Sequence, residues 1–451
     1  MRPISDLDWR GGGPPPERGL ILRGTTVLDP RAGIEGPHDV VIREGRIAEL
    51  AAPGAGQAEG AEIVDADGLH AVPAFFDPHV HLRTPGREDE EDIETGTRAA
   101  AAGGYCGLLA MANTEPPVDT PAQVESLRER AGADACLPTG FLATVTRGMH
   151  GDELTDMAEL TDAGAAGFSD DGLPIRSARV MRRALQYQAL VGAQIALHEE
   201  DPELSGKGVM HEGEVSALLG MEGVPAVSES TMIARDAALA AYEEARIHVQ
   251  HLSARESVEV VAAARDTGVA ITCEATPHHL TLTDDEVRSL DSRFKMNPPL
   301  RSDDDRQALI EAVRSGLIDC IATDHAPHSP DEKEVPFEQA AMGVTGLETA
   351  FAAIHTHLVL PGLLDLGTVV DRMSAGAAAF GFELPGLAPG AEANVALLDL
   401  DVEWEPGADG WESRSANSCF AARKLRGRPL MTVAAGHVAF RQRSFAMGVA
   451  S

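Results

Sequence analysis

Lysine is nearly absent from this sequence. The 451 residues include only Lys207, Lys295, Lys333 and Lys424, and none stands before position 207. Arginine carries the remaining positive charge. Acidic residues outnumber basic ones, 71 to 37, for a net charge of −34. So acidic a chain is excluded as a nonspecific nucleic-acid binder, which needs basic surface. It is no argument for an acidic substrate either, since that would need a local basic site. The lysine deficit fits GC-rich coding as well as a salty cytoplasm. Aromatic residues make up only 4%, so the core has to be built from Ala, Val, Leu and Ile. No apolar run reaches about 18 residues, so no membrane span is expected. Residues 1–18 are polar and Gly/Pro-rich, without the apolar stretch of a secretory signal. The five cysteines, Cys106, Cys136, Cys273, Cys320 and Cys419, form no close pairs. They read as reduced, buried thiols of a cytoplasmic protein.

What is present divides the chain into four stretches. Residues 1–18 read as a disordered tail. Residues 19–72 carry short alternating segments, such as Leu20-Ile21-Leu22-Arg23 and Val40-Val41-Ile42-Arg43, with turns at Glu44-Gly45 and Asp67-Gly68. These predict the first part of a small β domain. From 73 to 384, short apolar runs alternate with Ala/Leu-rich helical stretches. The runs lie at 74–79, 105–111, 136–142, 165–169, 193–198, 246–251, 269–274 and 318–323. Helices are expected near 123–131, 178–191, 230–245, 256–267 and 303–315. Eight strand–helix repeats predict an α/β fold with a closed (β/α)8 TIM barrel. A doubly wound open sheet is the alternative, but no strong glycine-rich nucleotide motif accompanies it. Strands return over 385–451. Both chain ends are thus expected to build one small composite β-sandwich domain.

The ends of the runs carry the chemistry. The first closes on His79 and His81, which an extended backbone points to the same side, with Arg83 next in line. The fourth ends in Ser169-Asp170-Asp171-Gly172, the fifth at His198 and the sixth at His251. Asp324 follows the eighth. Alone, His79 and His81 would read as surface histidines after a strand, His198 or His251 as a buried histidine, and Asp324 as the cap of a loop or helix. Six together, in register with the strand count, suit two divalent ions at the C-terminal mouth of a barrel, bridged by a carboxylate and a hydroxide. Zinc is the default for imidazole-rich sites. Many two-metal hydrolases of this architecture bridge their ions with a carbamylated lysine. With none before Lys207, that bridge is excluded from the first four strands. Asp171 and Asp170 compete for the role.

The motifs in hand resemble the type I dihydroorotases of the amidohydrolase superfamily. They include Asp77-Pro-His-Val-His-Leu-Arg-Thr-Pro-Gly86, Met111-Ala-Asn-Thr114, Phe168-Ser-Asp-Asp-Gly172 and Met210-His-Glu-Gly213. Two more are highly specific: Lys295-Met-Asn-Pro-Pro-Leu-Arg-Ser302 and Ile318-Asp-Cys-Ile-Ala-Thr-Asp-His-Ala-Pro-His328. The resemblance implies reversible cyclisation of N-carbamoyl-L-aspartate to L-dihydroorotate in pyrimidine synthesis. It implies two zinc ions, one held by His79, His81 and Asp324, the other by His198 and His251. Asp171 and a hydroxide bridge them, and Asp324 is the general acid/base. By the same resemblance, His81, Arg83, Asn113 and His328 meet the substrate, Asn297 contacts its ring, and the backbone at Met342 and Gly343 closes over it. A homodimer is implied, and docking on aspartate carbamoyltransferase is left open. Most relatives have an acidic residue at Thr84, Pro at Ala112 and an aromatic at Met342, so substrate affinity is the property these departures touch. The polar loop 325–342 is expected to be a mobile lid. The competing readings are a hydantoinase or allantoinase, which usually use the bridging lysine, and a catalytically silent scaffold for the carbamoyltransferase, which would have lost metal ligands.

Overall fold

A computed structural model describes residues 1–12, 18–443 and 445. Eight parallel strands carry the middle of the chain: β1 (Phe75–Val80), β2 (Tyr105–Ala110), β3 (Thr139–Ala143), β4 (Gly167–Phe168), β5 (Ala196–Leu197), β6 (Arg246–Val249), β7 (Ala270–Ala275) and β8 (Cys320–Ile321). They form two four-stranded sheets, β1 to β4 and β5 to β8. Parallel bridges from Phe168 to Ile195 and from Val80 to His325 join the sheet edges and close the ring. Each of the eight apolar runs holds one strand. They read as continuous runs because a barrel strand is covered on both faces; β2, for example, is buried along its whole length.

The helices between them follow their end signals. Asp303–Ser315 begins behind Ser302, whose side chain accepts the Asp305 N–H, and stops at Gly316 with a φ of 84°. A left-handed residue at this position favours glycine, which has no Cβ to clash. Pro121–Asp134, Ala178–Val191, Val227–Glu243 and Arg255–Asp266 complete the long helices around the barrel.

Strands from both chain ends build the second unit. Leu20–Asp29, Ile34–Arg43, Arg46–Ala51, Glu62–Asp65 and His70–Pro73 join Val395–Trp404, Leu425–Ala434 and His437–Arg441 in one eight-stranded sheet. The seam is the antiparallel pairing of 395–398 with 70–73. Leu22, Val27, Val40, Ile47, Val395, Leu397 and Val433 share one apolar core there.

Residues 1–12 depart from the expected disordered tail. Arg2–Pro3 pairs in parallel with Phe382–Glu383. Ile4, Leu7 and Trp9 are buried, and Asp8 pairs with Arg128 at 2.6 Å. Asp8 also bridges to Thr139, the first residue of β3. The segment therefore packs on the end of the barrel opposite the strand C-termini. Burying these three apolar side chains is what holds the segment in place. Of the rest of that expected tail, Arg18 is described and residues 13–17 lie outside the described residues. Among the described residues no helix is long and apolar enough to cross a membrane.

Candidate active site

The C-terminal ends of β1, β4, β5, β6 and β8 meet at one mouth. His79 Nε2 lies 3.4 Å from Asp324 Oδ1 and 3.5 Å from Asp171 Oδ1. His81 Nε2 lies 3.0 Å from Asp324 Oδ1 and 3.4 Å from Asp171 Oδ2. His198 Nδ1 and His251 Nε2 stand 3.7 and 3.6 Å from the same Asp171 Oδ1 that faces His79. All six side chains are buried. Three residues of the mouth have left-handed backbone: His251 at a φ of 32°, Asp324 at 48° and Arg83 at 53°. Such conformations cost non-glycine residues about 1–3 kcal/mol each and cluster where a side chain must be aimed.

These residues fit divalent cations. Ligand atoms about 2.1 Å from a tetrahedral ion stand about 3.4 Å from one another, the spacing found here. His79, His81 and Asp171 form one such group, and Asp171, His198 and His251 a second. Asp171 Oδ1, facing the imidazoles, is buried without a hydrogen-bond partner, which is costly unless a cation satisfies it. Protons are drawn to the same place. Burial works to push His79 down, but Asp171, Glu274 and Asp324 raise it well above the usual histidine range. Burial works to push Asp171 and Asp324 up, yet His79 and its neighbours hold both carboxyls below the ordinary range.

Asp170 and Asp171 part company at the end of β4. Asp170 turns away from the mouth and accepts the N–H groups of Val145 and Thr146 at 2.8 and 3.1 Å, together with the Thr146 hydroxyl. Asp171 points among the four rings.

Above them lies a cavity of about 290 Å³. His81, Arg83, Asn113, Asn297, His328, Met342 and Gly343 all line it. Arg83 donates through Nε to Pro327 O at 3.0 Å. Glu90 Oε2 stands 3.4 Å from the same atom. Its Nη2 lies 3.4 Å from His328 Nε2. Asn113 Oδ1 is 2.8 Å from His81 Nδ1, so this residue orients a histidine as well as facing the cavity. Asn297 donates to Glu200 Oε2 at 2.7 Å.

The loop at 325–342 is pinned rather than free. It contains the helical turn Pro330–Lys333. The buried Lys333 ammonium donates to the carbonyls of Lys295, Ala341 and Gly343 at 3.2, 2.9 and 2.9 Å. Its three donors match three acceptors, which is why a segment rich in polar residues packs in place.

Sequence reasoning missed Glu274 and Glu200. Glu274, the last residue of its apolar run, accepts from His79 and His248 inside the barrel. A carboxylate closing a buried strand was the available signal, the same signal that marked His198. Glu200 stands 3.5 Å from His198 Nε2. Burial works to raise its carboxyl, but His198 brings it down to about 2.

Known proteins place this geometry. A family model described as Dihydro-orotase-like matches residues 68–257. A dihydroorotase of Trichlorobacter lovleyi is 41% identical over 422 residues, covering 93% of this chain and 99% of that protein. A dihydroorotase of Pelotomaculum thermopropionicum is 42% identical over 425 residues, covering 94% and 99%. Among solved structures, L-hydantoinase (dihydropyrimidinase) from Arthrobacter aurescens superposes with a TM-score of 0.83 at 24% identity, covering 94% of this chain and 96% of its own. Dihydropyrimidinase from Brevibacillus agri gives 0.81 at 21%, covering 94% and 95%. The two solved structures share the fold, while the two dihydroorotases match nearly end to end at an identity that marks common descent: the chain belongs to the dihydroorotase family.

Proposed function

We propose that the protein is a dihydroorotase, interconverting N-carbamoyl-L-aspartate and L-dihydroorotate in de novo pyrimidine synthesis, with two zinc ions as its cofactor. The observation that carries this reading is the corner formed by Arg83 and His328 in the same cavity as the six ligand-type side chains. Dihydroorotate is a cyclic amide with a carboxylate on its ring. A cyclic amidase for uncharged rings has no use for such a corner.

In this reading His79, His81 and Asp324 would hold one ion and His198 and His251 the other, with Asp171 between them. The ions would supply Lewis acidity and a water acidic enough to react near neutral pH. Asp324, ionised because its neighbours hold its carboxyl low, accepts the water's proton and passes it to the departing ring nitrogen. A carbon–oxygen bond forms at the amide carbonyl as the carbon–nitrogen bond breaks, and ring closure runs the same transfers backwards. Arg83 offers its Nη donors to the ring carboxylate, with His328 and Asn113 beside it. Asn297 meets the ring, and the backbone at Met342 and Gly343 covers it.

The five cysteines are free and buried, which supports a reducing cytoplasm. Exposed Leu190 and Tyr242, on the adjacent helices Ala178–Val191 and Val227–Glu243, supply apolar surface for a homodimer.

Ring opening of L-dihydroorotate, followed by ultraviolet absorbance beside hydantoin and allantoin, tests the assignment. Turnover of dihydroorotate is expected. Turnover of hydantoin or allantoin alone would move the protein to another cyclic amidase class.

A further inference from the structure

A loop of the small sheet domain reaches the rim of the cavity. It joins the strands Val395–Trp404 and Leu425–Ala434 and lies across the barrel mouth. Ser415 Oγ donates to Glu90 O at 2.7 Å, the Ser413 N–H donates to Glu348 at 3.1 Å, and Arg414 pairs with Asp92. Farther along, buried Phe420 belongs to an apolar cluster with Phe294, Met296 and Phe337.

Between these anchors lies Asn417, only 6% exposed. Its Oδ1 accepts the His328 N–H at 3.2 Å. Its Nδ2 donates to Ala326 O at 3.1 Å and to Gly343 O at 3.2 Å. The partners fix the orientation of the amide, since the reverse would set its oxygen against two carbonyls. Ala326, His328 and Gly343 form one wall of the cavity. They are closely fitted: a Cβ on Gly343 would stand 2.7 Å from Ala326 Cβ and 2.9 Å from His328 Nε2. Asn417 holds all three from outside the barrel.

We infer that Asn417 is a positioning residue for the substrate. It fixes the backbone that aims His328 and Gly343 at the bound ring, and it makes the small sheet domain a working part of the active site. The inference rests on the reading of His328 as a substrate contact. Loosening such a wall weakens contacts that the bound substrate and the transition state share, which raises KM and leaves kcat nearly unchanged. Lys333 also donates to Gly343 O, so losing Asn417 loosens the wall without releasing it.

Steady-state kinetics of Asn417→Ala beside His328→Ala, with metal content and Tm on the same samples, test this. Both variants are expected to raise KM for dihydroorotate about tenfold, with kcat and metal content of Asn417→Ala within about twofold of the parent. Asn417→Asp has the same shape and keeps the acceptor for the His328 N–H, but it sets a buried charged oxygen against the Ala326 and Gly343 carbonyls. A rise in KM at least as large is expected, and this variant carries the test if the alanine variant does not fold. A lower Tm with an unchanged KM for the Asn417 variants, while His328→Ala raises KM, would reduce Asn417 to a structural residue and overturn the inference. An unchanged KM for His328→Ala would instead remove the substrate reading of His328, and the inference with it.

Discussion

His79 Nδ1 lies 2.6 Å from Oε1 of Glu274, a carboxylate only 1% exposed. The same oxygen accepts the backbone N–H of His251 at 3.3 Å, and Oε2 stands 3.0 Å from His248 Nε2. One buried carboxylate thus fixes the ring of one candidate ligand and the backbone of another. It takes the proton-bearing face of His79 and leaves Nε2 to the mouth.

Removing that charge should weaken metal binding without removing a ligand. For Glu274→Gln we expect metal affinity to fall about 10- to 100-fold, read by competition with a chromophoric chelator. An affinity equal to the parent's would show that Glu274 serves only the packing of the barrel.

The same carboxylate should mark the acid stability of the metal-stripped protein. Burial works to raise the Glu274 carboxyl, but His79 and His248 outweigh it and bring it down to about 2, from an ordinary 4.5. A depressed carboxyl stabilises the fold fully above its unfolded value and loses that contribution as pH falls toward the folded value. The parent should therefore lose more stability than Glu274→Gln between about pH 4.5 and pH 2. Urea midpoints across that window measure it, and parallel curves would contradict it.

The neighbouring aspartates should separate cleanly. Asp171→Asn is expected to lose bound metal, because its Oδ1 has no other partner. Asp170→Asn should keep its metal and lose about 1–3 kcal/mol of stability through its bonds to Val145 and Thr146. Metal analysis and thermal melts of the two variants decide the matter. A metal-replete Asp171→Asn would return the bridging role to Asp170.

Arg83→Lys should raise KM for dihydroorotate about tenfold or more while leaving metal content unchanged. Lysine replaces the fork of the guanidinium with a point charge and cannot pair bidentately with a carboxylate. The comparison is kcat/KM for dihydroorotate in the two proteins, and equal values would place the ring carboxylate elsewhere.

The barrel was legible because strands covered on both faces leave unbroken apolar runs, and helical stretches stand between most of them. The candidate ligands were legible because His79, His81, His198, His251 and Asp324 close or follow those runs. What the sequence hid has physical reasons. Ile4, Leu7 and Trp9 are too few and too irregular to announce a packed segment next to Gly/Pro-rich chain. Glu274 looks like the polar end of a strand until His79 is seen beside it. Asn417 is far in sequence from His328 and Gly343, and only the return of the chain through the small sheet brings them together. Lys333, in a loop whose composition suggested freedom, is the residue that pins it.

The most direct test of the account is reconstitution of the metal-stripped protein, titrating zinc while following both metal stoichiometry and ring opening of L-dihydroorotate. The account predicts negligible turnover at the start and activity that rises until two ions are bound per chain. Full activity in the chelated protein, or zinc binding at this site with no turnover of dihydroorotate, would contradict it.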